Sequence, residues 1–192
     1  MTEGTAPPTP LHGGFYDQGD LQKVAINLFY GWGYNFYRLE NQLRADDQLI
    51  RRKAAEVLGQ ANAVLCQAES DYRRDHLQPP TRAKPYPDAE AVAAAQVIER
   101  LVRQVDGLRG RINAMPVPEN DRMTQRYREE AQTLHALGVH DEQLIGQAET
   151  LRLAVDGRDG AWIVANAASL QDGLKAIDET LRQRAQLLSQ RF

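Results

Sequence analysis

Apolar residues recur at helical spacing along nearly the whole chain, and no segment combines period-two alternation with hairpin turn chemistry. The clearest run is Ala91, Ala94, Ile98, Leu101, Val105, Leu108, Ile112 and Met115, where steps of three and four alternate without a break. That seam predicts a helix from about Asp88 to Met115 with one face in a core. Asp88 follows Pro87 and is placed to cap it, and Glu90 lies at the positive end of its dipole. Gly107 and Gly110 weaken its last turns by about 1 kcal/mol each relative to alanine.

Upstream, no proline occurs from Asp20 to Leu77. Leu21, Val24, Leu28, Trp32, Leu39 and Leu43 form one stripe, and Ile50, Ala54, Val57, Ala61, Val64 and Ala68 form another. Asp17 or Asp20 can cap the first pattern, and Asp46 and Asp47 stand where a second helix could begin. One long bent helix and two helices joined by a turn both satisfy this spacing. Downstream, Met123, Tyr127, Ala131, Leu134 and Leu137 mark a short helix ending at Gly138. Leu144, Ala148, Leu151 and Val155 mark another, capped by Asp141 and ending at Gly157. A last helix, striped by Ile163, Ala167, Leu170, Leu174, Ile177, Leu181 and Leu188, runs from about Gly160 almost to Phe192.

Pro79, Pro80, Pro85 and Pro87, and then Pro116 and Pro118, interrupt these patterns. The expected fold is therefore all-α: a mainly antiparallel bundle of five or six helices with proline-rich connections at 78–88 and 116–118. Residues 17–192 form one helical-bundle domain on this reading, with 78–88 as a candidate sub-boundary. Residues 1–16, with Pro7, Pro8, Pro10, Gly13 and Gly14, read as an extended or disordered arm. Such an arm becomes ordered only against its own bundle or a partner.

Composition agrees: 42 % hydrophobic and 26 % charged residues suit a globular chain, and the abundant Ala, Arg, Gln, Leu and Glu favour helix. The Ala- and Arg-rich usage is of a bacterial type. Cys66 is the only cysteine, so no intramolecular disulfide can form. The N-terminus lacks the basic start and apolar run of a signal peptide. The longest apolar stretch, Val24 to Tyr37, is interrupted by Asn27 and Asn35 and falls short of the ~20 residues of a spanning helix. These features set a cytoplasmic location, without membrane insertion, as the expectation.

Candidate chemistry is sparse. His12, His76, His135 and His140 show no Glu-x-x-His or His-Glu-x-x-His spacing, and no Cys-x-x-Cys exists, so neither metal nor cofactor is expected. Cys66 reads as a small helix residue. Pairs such as Glu40–Arg44 and Asp178–Arg182 have the i,i+4 spacing of solvated surface pairs. The balance is against an enzyme. Arg51, Arg52 and Lys53, and Arg100, Arg103, Arg109 and Arg111, are interleaved with Glu56, Glu99 and Asp106, and the net charge is −3, which opposes nucleic-acid binding.

Eight of the 13 aromatic residues lie between Phe15 and Tyr37. At about 100° per residue, Phe29, Trp32 and Phe36 align with the Leu21–Leu28–Leu39 stripe. Tyr30, Tyr34 and Tyr37 align with Ile26 on the opposite side, where a surface helix would carry Lys, Glu or Gln. Either this helix packs on both faces inside the bundle, or the tyrosine face meets another chain. In the second pattern Ala55, Gly59, Asn62, Ala63, Cys66 and Ser70 form a small-residue face that suits close helix approach. The functional expectation is a non-enzymatic interaction or assembly subunit. It would bind a protein partner or a second copy through Ile26, Tyr30, Tyr34 and Tyr37. The alternative is a bundle enclosing a small apolar ligand or cofactor beside Phe29, Trp32 and Phe36, with Gly31 and Gly33 giving backbone access. An unrecognised enzyme or a nucleic-acid binder stands third.

Overall fold

A computed structural model describes residues 15–31, 40–82, 85–115 and 127–189, with backbone alone at 18, 26, 29–31, 40–47 and 127–134. These residues form six helices and no strand: α1 (Gln18–Gly31), α2 (Glu40–His76), α3 (Ala89–Ala114), α4 (Tyr127–Val155), α5 (Gly160–Ala165) and α6 (Ala167–Ser189). The all-α bundle is thus the fold. The described residues at 77–88 are non-helical, and Pro116 and Pro118 lie outside the described residues.

Cross-helix contacts fix the directions. Arg51 reaches Ile112, Arg109 reaches Ala55 and Arg73 reaches Glu99, so α2 and α3 run antiparallel. Arg184 meets Asp141 and Thr180 meets Gln147, so α4 and α6 are antiparallel too. Arg51 faces Asp141 at one end of α2, and Tyr72 lies against Gly160 at the other, which makes α2 and α4 parallel. The four long helices α2, α3, α6 and α4 therefore stand around one core, with α3 and α4 across a diagonal although consecutive in the chain. α5 closes the end where α2 finishes and α3 begins, and Ile163 is fully buried there.

The α3 seam packs as its spacing predicts. Ala91, Ala95, Ile98, Leu101, Val105, Leu108 and Ile112 are buried, and the Asp88 carboxylate accepts from Glu90 N–H. Ala95 takes the place expected for Ala94, and Met115 is half-buried. The Asp17 carboxylate accepts from Asp20 N–H at the start of α1.

Four boundaries differ from the expectation. Of the expected 20–77 stretch the described residues give α1 and α2, with 32–39 outside the described residues, and the α2 backbone is already helical from Glu40, so Asp46 and Asp47 lie inside it and not at its start. α4 runs straight through Gly138 and Asp141, so the two short helices are one of 29 residues. A glycine ends a helix when the chain must turn left-handed, and among the described glycines only Gly157 does so, with φ 64°. Asp141 is no cap at all. The last helix is broken at Asn166, whose side-chain amide donates to the Trp162 carbonyl and competes with the backbone ladder. The small-residue face of α2 also divides. Arg109 Nε donates to the Ala55 carbonyl and its guanidinium lies over Gly59, whereas Ala63, Cys66 and Ser70 are exposed.

Candidate functional site

α1 is seated on the bundle by one edge. Leu21 and Ala25 are fully buried, Leu28 is partly buried against the core, and Gln22, Lys23 and Asn27 are exposed. The helix rests on α4 and crosses it at Gly146, where an added Cβ would lie 2.5 Å from the Leu21 carbonyl oxygen. Only glycine permits that approach. Gln22 donates to Glu142 at 3.2 Å along the same seam.

Just upstream, Phe15 is 2 % exposed. Its ring occupies the space that a side chain at Gly173 of α6 would need, with 2.6 Å between Cζ and a built Cβ. Its carbonyl accepts from Gln147 Nε2 at 3.1 Å, and Thr180 donates to Gln147 Oε1 at 3.0 Å. Tyr16 donates to the Asp172 carbonyl at 3.3 Å. The end of the expected arm thus docks on its own bundle at Phe15 and Tyr16, while residues 1–14 lie outside the described residues.

The seat can be tested directly. Gly146→Ala drives a methyl against backbone, which cannot swing aside as a flexible side chain would. A loss of about 1–3 kcal/mol is expected, the usual range for overpacking, with faster amide hydrogen exchange across 21–28. Unchanged exchange in α1 would show that the contact is not maintained in solution.

Of the residues singled out in the sequence, Ile26, Phe29 and Tyr30 lie on the α1 backbone, with side chains outside the description. Trp32, Tyr34, Phe36 and Tyr37 lie outside the described residues.

Sequence reasoning missed a buried charged cluster to which all four long helices contribute. Arg184 of α6 is fully buried and its Nε donates to Asp141 Oδ1 of α4 at 2.9 Å, with Asp141 1 % exposed. Arg51 of α2, 5 % exposed, donates to the Met115 carbonyl at 2.8 Å and to the Ile112 carbonyl at 3.5 Å. It therefore caps the negative end of α3 rather than contributing to a basic surface. Arg184 Nη1 also lies 4.0 Å from Met115 Sδ. Burial pushes the Asp141 carboxyl well up, against the pull of Arg51, and lowers Arg184 to about 10, so Arg184 remains a cation at neutral pH. The neighbouring His140 is lowered by burial, and its Nδ1 has no hydrogen-bond partner. The sequence signal for this cluster was Arg184 itself, a charged residue one turn beyond Thr180 on the buried α6 stripe.

Among the described residues two surface grooves stand out. One, of about 360 Å³, lies between α3 and α6 and is crossed by the Arg111–Asp178 ion pair. The other, of about 540 Å³, lies between the end of α2 and the α4–α5 turn. Among the described residues no group of three His, Cys, Asp or Glu side chains could hold a metal ion, and no helix is long and apolar enough to cross a membrane. No family model, curated protein or solved structure matches the chain.

Proposed function

We propose that this chain is a non-enzymatic interaction or assembly subunit that binds a protein partner through Ile26, Tyr30, Tyr34 and Tyr37, the tyrosine-rich face expected for the first helical pattern. The observation that carries the reading is the one-sided seat of α1. The helix rests on α4, its buried line is Leu21 and Ala25, and Gln22, Lys23 and Asn27 are exposed. A helix packed inside the bundle on both faces would have no such exposed side. At about 100° per residue, positions 26 and 30 fall beside 22 and 23 and away from 21 and 25. A row of Ile and Tyr in that register would be an unusually apolar patch without a partner, and tyrosine suits a half-wet contact.

The seat also supplies what a docking helix needs. Phe15 in its socket, Gln147 on its carbonyl and the Gly146 crossing fix the helix before any partner arrives. Pre-organisation of this kind lowers the entropic cost of binding.

The test is the double variant Tyr30→Ala with Tyr34→Ala. Interface energy concentrates in a few aromatic anchors, so association should weaken by at least ~2 kcal/mol, while monomer stability changes little. Co-purification from the native host reads the first quantity, sedimentation reads self-association, and urea unfolding reads stability. Full partner recovery combined with a large loss of stability would place the tyrosines in the core and end this reading.

A further inference from the structure

We propose that the groove between α3 and α6 is a second docking site, which takes an acidic amphipathic helix of a protein partner. The site shares no residue with α1, so it goes beyond the reading above.

The groove follows from the directions of its two walls. α3 is antiparallel to α2 and α6 to α4, while α2 and α4 are parallel, so α3 and α6 run the same way. They line the groove in step, at 104, 107, 108 and 111 on α3 and at 171, 174, 175 and 178 on α6. Both sets have the i, i+3, i+4, i+7 spacing that one helix presents to another. Leu108 and Leu174 form the floor, 7 % and 5 % exposed, and Gln104 and Gln171 face each other at one end. Gly107 keeps the α3 wall low. A Cβ built there meets nothing within 4 Å, so nothing among the described residues requires a glycine. Alanine would favour this exposed helical position, whereas glycine leaves the backbone open to a close approach. Gly146 of α4 uses the same device to seat α1.

Two features decide the occupant. The first is charge. Four cations, Arg100, Arg111, Lys175 and Arg182, stand around the groove against two carboxylates, Asp172 and Asp178. Arg111 and Arg182 share the Asp178 carboxylate, and Lys175 pairs with Asp172 at side-chain exposures of 73 % and 41 %. Exposed pairs of this kind hold their partners weakly, so a Glu or Asp from a partner can share the cations. The second is an apolar floor in helical register. A nucleic-acid strand matches the charge but offers no apolar stripe to Leu108 and Leu174. An extended peptide repeats every second residue and falls out of step with walls spaced at three and four. A helix satisfies both features. Its apolar stripe fills the floor, a small residue passes Gly107, and acidic residues on the flanking lines meet the cations.

The test uses the full-length chain and amide chemical-shift titration. The probe is a blocked peptide of three Leu-Glu-Ala-Leu-Ala-Glu-Gln repeats. It is compared with the same peptide carrying Lys in place of Glu, and with a single-stranded oligonucleotide of matching charge. The expected result is saturable shifts across 104–111 and 171–178 with the acidic peptide alone, weakening as salt rises. Gly107→Ala should act with opposite signs in two measurements. It raises the unfolding temperature, because alanine is the better helix former, and it weakens binding about tenfold, the low end for forcing a methyl into a packed contact. Arg100→Gln with Lys175→Gln, both at exposed positions, should weaken binding by about the same factor. Absence of saturable shifts with the acidic peptide up to about 1 mM, the weak limit of useful affinity, would overturn the proposal. So would binding indifferent to both variants, or equal shifts with the Lys peptide. Equal shifts with the oligonucleotide would make the groove a polyanion surface, and a dimer of the free chain that Gly107→Ala abolishes would make a second copy the occupant. Either result also overturns it. Failure here leaves the α1 reading untouched, because no α1 residue enters the experiment.

Discussion

Asp141→Ala should cost about 3–5 kcal/mol, the range for removing one member of a buried ion pair. The loss has little to do with the attraction that the pair provides. It comes from the guanidinium of Arg184, which would be left fully buried beside an empty acceptor site. Its depressed value of about 10 still leaves it protonated at neutral pH, so it cannot escape by neutralising. Arg51 would lose the same counter-charge, although it keeps the Met115 carbonyl. Urea unfolding at neutral pH measures the effect. Asp141→Asn should cost less, because the amide oxygen still accepts from Nε. The double variant Asp141→Leu with Arg184→Met should cost less than Asp141→Ala alone, since it removes the Arg184 charge together with its acceptor and leaves only Arg51 without the counter-charge. A loss below about 1 kcal/mol for Asp141→Ala would mean that water reaches the pair.

A cluster of this kind also specifies which bundle forms. Heptad-like seams let helices slide or exchange neighbours at small cost, because one Leu replaces another. Here α2 supplies Arg51, α3 its terminal carbonyls, α4 Asp141 and α6 Arg184, all at the level where α3 ends. Few other arrangements of the four helices would bring these groups together, so the cluster selects parallel α2 and α4 as side neighbours. At the opposite end α5 and Ile163 close the core by apolar contact.

The sequence made helices legible wherever burial was periodic. α3 could be read almost residue by residue, because its cap and its seam are local features. Helix ends were harder. Gly138 resembles a stop signal, but nothing in the fold requires the chain to turn there, and the helix continues. Asp141 resembles an N-cap because Asp is favoured there, and its real partner lies 43 positions away in the sequence. Arg51 looked like part of a basic run for the same reason: the carbonyls that bury it belong to another helix. Long-range partners leave no mark at fixed spacing, and the groove between α3 and α6 depends on the same kind of contact. The candidate site was legible as an aromatic pattern. What supports it, the Gly146 crossing and the Phe15 socket in Gly173, required two glycines in helix interiors to be recognised as points of contact.

Leu101→Ala should cost about 2–5 kcal/mol, the span for truncating a buried leucine, and it belongs in the upper half of that range. The reason is what surrounds it. Leu101 is 1 % exposed, and the antiparallel register of α2 and α3 sets it level with the turn around Leu65. On α2 the buried positions on either side of Leu65 are alanines, Ala61 and Ala68, and on α3 Leu101 stands between the buried Ile98 and Val105. The alanines have no flexible side chain to swing into the space that Leu101 leaves, and the β-branched Ile98 and Val105 are stiff. A cavity that cannot collapse carries its full penalty. Leu101→Met, close in volume and more adaptable, should cost under about 1.5 kcal/mol. A neighbour on the half-buried side, Val102→Ala, should cost less than Leu101→Ala because part of its surface is already wet. Thermal or urea unfolding of the three variants orders them. Equal losses for Leu101→Ala and Val102→Ala would show that the α3 seam is rotated from its position here.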